Sequence, residues 1–419
     1  MDMHLKSLTN LALAAALSAG FVSAPALAQK DKGKAAAATP LQDLSKEFRV
    51  AAQPVQKALQ AKDFAAASAG LPAVDAASTK PADKYYSGLF RYQIAANAKD
   101  DKGLTAGVQA MLDSGVAPAE QIGVLSLHMG REAYFAKDYT RAQTFLTQAL
   151  ASGKRAPDAL ILAADVNFKQ KQYQQGLALA EEAIAAQKAA GQPVTEDWYN
   201  RGLAAAYNAK LGPESVKWSS MLVRAFPTAT NWRSALVLYR DSKALDPQIT
   251  LDLYRLMRET RSIAGERDYF DYAAIASERG LPGETKAVVD MAVTSDAKLA
   301  TSKNLAELRA AASPKIAGDL ASLPASEKSA AAAPTGRPAM NTADAYLSYG
   351  QDAKAIPLYR LALQKGGIDA DAVNTRLGIA LARSGDKEGA RAALQSVKGI
   401  RAEVAGLWLL HLDVPTPAA

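Results

Sequence analysis

The chain contains no cysteine and only three histidines in 419 residues. Without thiols it can form no disulfide, no thiolate nucleophile, no Cys-based metal site and no thioether-linked lipid. His128 and His411 lie far apart in sequence, so no histidine pair or local catalytic dyad is visible. His128, between Leu127 and Met129, reads as a structural residue. No apolar run reaches the roughly 18 residues that a membrane span needs. Alternation of β-branched residues never persists for a strand length, which leaves helix as the only sustained periodicity. Charge is mixed rather than one-sided: 49 Lys and Arg against 42 Asp and Glu, a net of +7, with no basic block. Nucleic acid is therefore not an expected partner. There is no nucleophile elbow, Walker loop or dinucleotide fingerprint, and Ser295 with Lys298 is a Ser-x-x-Lys match without its companion motifs. No cofactor, metal or catalytic group is expected.

What is present begins with a secretory pattern. Lys6 supplies a positive start, Leu11 to Val22 an apolar stretch, and Ala26-Leu27-Ala28 a cleavage site before Gln29. Residues 1–28 are expected to be a signal peptide, and 29–40 a flexible leader. The mature chain is expected to be periplasmic or secreted, with no integral membrane segment.

Beyond Leu41 the pattern is helical. Leu44, Phe48, Ala51, Val55 and Leu59 form a face interrupted at Pro54. Asp63-Phe64 opens a second helix, Tyr85 to Ile94 a third, and Leu104 to Leu112 its partner. Breakers such as Ser114-Gly115, Ser152-Gly153 and Gly191 with Pro193 recur every 15 to 20 residues or so, as an αα-repeat requires. Sliding the chain by about 34 residues lays Tyr139, Ala142 and Ala149 on Tyr173, Gly176 and Ala183, and Trp198 on Trp232. Residues 41–321 are read as one array. The Ala- and Pro-rich stretch 322–340 is read as a linker, 341–413 as further repeats, and 414–419 as a tail.

These residues resemble the tetratricopeptide repeat. Its small residues at repeat positions 8 and 20 match Gly130 and Ala142, Ala164 and Gly176, and Gly378 and Ala390, and position 27 matches Ala149 and Ala183. Ala355, Tyr359 and Ala362 belong to the unit before the last. Units beginning at Trp198, with Gly202, and at Trp232, with Tyr239, depart from the pattern. Strict spacing puts Glu214 and Gln248 at position 20, Met221 and Arg255 at 27, and Leu236 at 8. The resemblance implies an all-α, partly irregular αα-hairpin solenoid with a right-handed superhelix. It also implies a concave groove carrying Arg131, Tyr134, Asp165, Lys169, Tyr199, Tyr207, Arg233 and Arg240.

That groove suits an extended peptide or a partner helix. The function expected is a non-enzymatic scaffold for a protein or peptide partner in the cell envelope. Two other readings stay open: an enzyme or accessory factor acting on cell-wall or exported polysaccharide, and a self-associating structural oligomer. For the enzyme, Glu214-Ser215 resembles the catalytic Glu-Ser of superhelical lytic transglycosylases, but their downstream Gly-Leu-Met-Gln type segment is missing, and Glu214 follows Pro213 at a helix start. Arg255, Arg258 and Arg261 lie along one helix flank, either to hold oxyanions or to pair internally with Asp252, Glu259, Asp268 and Asp271.

Overall fold

The computed structural model describes residues 43–417; the expected signal peptide, the leader and the last two residues of the tail lie outside them. The described residues contain helices and no strand. Five consecutive hairpins open the array: α1 (Lys46–Gln60) with α2 (Phe64–Ala77), α3 (Pro81–Ala98) with α4 (Asp101–Asp113), and α5 (Ala119–Phe135) with α6 (Tyr139–Ala151). Then come α7 (Pro157–Lys169) with α8 (Tyr173–Ala189), and α9 (Glu196–Asn208) with α10 (Gly212–Ala225). Next are α11 (Ala229–Asp241), α12 (Pro247–Glu259), α13 (Gly265–Glu278) and α14 (Pro282–Ser295). The chain finishes with α15 (Lys303–Ala312), α16 (Ile316–Ala332), α17 (Arg337–Ser348), α18 (Asp352–Lys365), α19 (Ala370–Arg383), α20 (Lys387–Gln395) and α21 (Ala402–Asp413).

One turn joins the two helices of most hairpins. An amide reaches back to a carbonyl five residues earlier: Asp138 to Ala133 at 2.9 Å, Gln172 to Asn167 at 2.8 Å, Asp386 to Leu381 at 2.9 Å. This closure needs a left-handed residue just before the donor. Gly280, Gly350 and Gly385 supply it in the later hairpins, whereas Lys62, Lys99, Lys137, Lys171 and Lys210 supply it in the first five. The following aspartate often caps the second helix, as Asp63 does for the amide of Ala66 and Asp138 for that of Arg141, both at 3.0 Å.

Inside each hairpin a small residue faces a large one. A Cβ on Gly130 would stand 2.7 Å from Leu146, and one on Gly378 2.5 Å from Leu394. Gly202 faces the ring of Trp218 in the same way. The third unit's apparent mismatch is a one-residue lengthening. Its left-handed Lys210 comes one residue later after Gly202 than Lys137 does after Gly130, so buried Ser215, not Glu214, takes the small position.

Three expectations are corrected. Pro54 does not interrupt α1, because the carbonyl it leaves unbonded belongs to Val50, whose side chain is 68% exposed on the solvent face. Residues 322–340 are not a linker. They lie largely in α16 and α17, with Leu323, Ala330 and Ala339 buried, and Lys365 donating to the Ala331 carbonyl at 2.7 Å. Alanine, read as a linker residue, is also the strongest helix former. Finally, 341–413 is not separate from the array, since one hydrophobic core runs from Val223 to Leu412. Within it α12 is enclosed: every residue from Leu251 to Met257 is buried, and α21 packs on α10 and on α12.

Candidate functional site

The eight groove residues fall on α5, α7, α9 and α11, the first helices of successive hairpins, and the structure sorts them into three groups. Tyr134 and Asp165 come together. The Tyr134 phenol is pushed up by burial and by its hydrogen bond and proximity to Asp165. Burial also raises the Asp165 carboxyl, against the pull of Arg201, which pairs with both Asp165 and Asp197. Arg201 is the residue the sequence reading missed; its spacing of four from Asp197 on one helix was the available signal. The chain Tyr134–Asp165–Arg201 thus crosses α5, α7 and α9, whose packing side by side sets its span. Arg131, half-buried, and Lys169, exposed, flank it without an ion-pair partner among the described residues. Tyr207 is 61% exposed at the end of α9.

Tyr199 is corrected to the interior. It is 1% exposed, with the Phe226 ring edge-on at 6.0 Å and the Lys188 ammonium 5.8 Å from its centroid. A ring beside the hairpin seam gains more from this burial than from facing water.

Arg233 and Arg240 are tied internally. Both bind the carboxylate of Asp268, Arg240 at 3.2 Å, and Arg233 also reaches the Ser262 carbonyl at 3.2 Å. Asp268 further accepts the amide of Ala264 at 3.2 Å, so this cluster clamps α11 to the start of α13.

The arginine flank on α12 resolves as internal pairing at its first member. Arg255 binds Glu284 through Nε at 2.8 Å and Nη2 at 2.6 Å, and Asp252 at 2.9 Å. Asp252 also takes Arg401 at 2.9 Å, while Trp408 donates to its carbonyl at 3.2 Å. Arg376 joins Asp344 at 2.7 Å. Burial pushes the Glu284 carboxyl up, but Arg255 and the Tyr272 hydroxyl outweigh it and hold the group below its ordinary value. Arg258 is half-buried, and Arg261 is exposed in a left-handed turn.

The remaining chemical candidate, Glu214, sits in the first turn of α10, and the Ser215 hydroxyl donates back to the Leu211 carbonyl at 2.8 Å. Among the described residues no group of three or more His, Asp or Glu is placed to hold a metal.

No protein-family model and no curated protein sequence matches the chain. Among solved structures it is similar to a tetratricopeptide repeat protein from Parabacteroides merdae, at 14% identity, over 70% of this chain and 99% of that one, with a TM-score of 0.28. It is also similar to the P58(IPK) TPR domain, at 9% identity over 78% and 97%, TM-score 0.23. A third match is Naa15/Naa10 bound to HypK-THB, at 13% identity and TM-score 0.32, where 80% of this chain covers 55% of that one. What defines the tetratricopeptide-like array is its own hairpin geometry.

Proposed function

We propose that the protein is a non-enzymatic, exported scaffold that binds a protein or peptide partner in the cell envelope across α5, α7 and α9. The observation that carries this reading is the partly exposed chain Tyr134–Asp165–Arg201, flanked by Arg131 and Lys169, which have no ion-pair partner among the described residues. Tyrosine and arginine supply a disproportionate share of interface energy, and a partner lying across three helices can meet them at once. The second half of the chain offers less, because there Arg240 is largely covered, Asp268 is buried and α12 is enclosed.

A photo-cross-linking residue in place of Tyr134, with one at exposed Arg267 as control, tests the surface. Envelope adducts are expected at 134 and not at 267, and are expected to vanish when Asp165→Ala and Arg201→Ala are added. Equal adducts at both positions would place binding elsewhere. Intact mass of the fractionated protein tests export: the expected start is Gln29, and retained Met1 on cytoplasmic material would end that part of the reading.

A further inference from the structure

The five lysines that close the first five hairpins form a set. Lys62, Lys99, Lys137, Lys171 and Lys210 all sit at positive φ, between 55° and 61°. Every one is exposed, and none has an ion-pair partner among the described residues. A left-handed backbone is costly for lysine and free for glycine, which the later hairpins use at the same place. Because the turns occupy the same end of successive hairpins, the lysines line one edge of the array, roughly one helix-packing distance of 8–10 Å apart per helix layer.

The acidic residues of this edge, with Asp101 and Glu214 in the first turns of α4 and α10, offset its lysines only in part. Asp63, Asp100 and Asp138 are folded back on helix amides at 3.0, 3.1 and 3.0 Å, where a positive helix end receives them, while the lysine stems project into water. The opposite edge is mixed in sign: Glu47, Glu120, Asp158, Glu196 and Asp197 occupy the first turns of α1, α5, α7 and α9, among Lys46, Lys80, Lys154 and Arg155. Two large exposed apolar side chains also lie on the lysine edge: Phe135, 64% exposed, two residues before Lys137, and Tyr207, 61% exposed, three before Lys210.

We propose that this edge docks on an anionic phospholipid surface. Lysines backed by exposed aromatic rings are the combination that sits at a charged bilayer interface. All five cations are lysine, which acts as a hydrated point charge, whereas a defined carboxylate or phosphate ligand favours the bidentate fork of arginine. A fluid layer of headgroups lets each lysine find a partner whatever the curvature of the edge. No described helix is long and apolar enough to cross a membrane, so the attachment is peripheral. The edge adjoins the Tyr134–Asp165–Arg201 surface, where the Phe135 ring meets Tyr134 edge-on at 5.7 Å, but the lysine substitutions leave those three side chains in place, so the two proposals fail separately.

The test is co-sedimentation of the full chain with vesicles of phosphatidylcholine alone or mixed seven to three with phosphatidylglycerol. Binding to the anionic vesicles is expected to exceed that to neutral ones by about tenfold or more and to fall with added salt, each lysine contributing about fivefold at most. Replacing Lys99, Lys137, Lys171 and Lys210 by glycine relieves the left-handed strain, so the variant should keep its helical circular dichroism while losing the vesicles. Phe135→Ser with Tyr207→Ser should weaken binding and leave its salt dependence. Lys84→Gln with Lys188→Gln, away from the edge, should change nothing. Equal binding to neutral vesicles, full binding by the folded glycine variant, or tighter capture of soluble polyphosphate than of vesicles would each overturn the proposal.

Discussion

Arg255 and Glu284 meet fork to fork, at 2.8 and 2.6 Å, with each residue only 2% exposed. The pair fastens α12 to α14 in a region that water does not reach.

Glu284→Ala leaves a guanidinium buried beside Asp252 alone, and such a loss costs about 3–5 kcal/mol. The paired substitution Arg255→Met with Glu284→Leu removes both charges and should recover much of that loss. Urea denaturation of the two variants checks this. A double variant no better than Glu284→Ala would show that Asp252, left facing Arg376 and Arg401, depends on Arg255 as strongly as Glu284 does.

Gly202 and Ala142 report on hairpin packing. Gly202 lies under the Trp218 ring, and Ala142 is fully buried in the α5–α6 seam. Gly202→Ala and Ala142→Leu should each destabilise by about 1–3 kcal/mol through overpacking. Unchanged thermal midpoints would mean that the helices separate more easily than the structure implies.

Much of this was legible in the sequence. The recurrence of Tyr139 on Tyr173 and of Ala149 on Ala183 marked the hairpins, and Asp63 and Asp138 marked helix starts. Less legible was anything set by neighbours distant along the chain. Nothing near Arg255 pointed to Glu284, and Tyr199 looked like a groove residue because Phe226 follows only after a whole further helix. The stretch 322–340 was ambiguous for another reason: alanine and serine serve both a loose linker and a tightly packed helix.

Asp83 supplies a pH-dependent test. It is buried, and it accepts the amides of Ser45 and Lys80, both at 3.0 Å, joining the start of α1 to α3. Burial alone would raise its carboxyl, but the amides of Lys80 and Ser45 prevail and hold it below 3.8. A depressed folded-state value means that its stabilisation is complete above the unfolded value and disappears as pH falls through the folded one. Asp83→Asn should therefore cost about 1–2 kcal/mol at neutral pH. The gap from the parent should narrow in strong acid. A gap that stays constant with pH would show that the carboxylate's charge is not what holds the junction.

The enclosure of α12 also fixes an order of events. Its links to α19, to α21 and to the turn just before α21 join residues 128 to 156 positions apart, Gln248 to Arg376 and Asp252 to Arg401 and Trp408. The first five hairpins close through neighbours in sequence and can form as soon as each second helix exists, whereas α12 must wait for the last residues of the chain. During synthesis, the front of the molecule can take shape while Asp252, paired with Arg255, still lacks Arg401 and Trp408. Packing of α21 is thus the step that completes the second half, and a chain shortened before Arg401 should leave the buried Asp252 without Arg401 and Trp408.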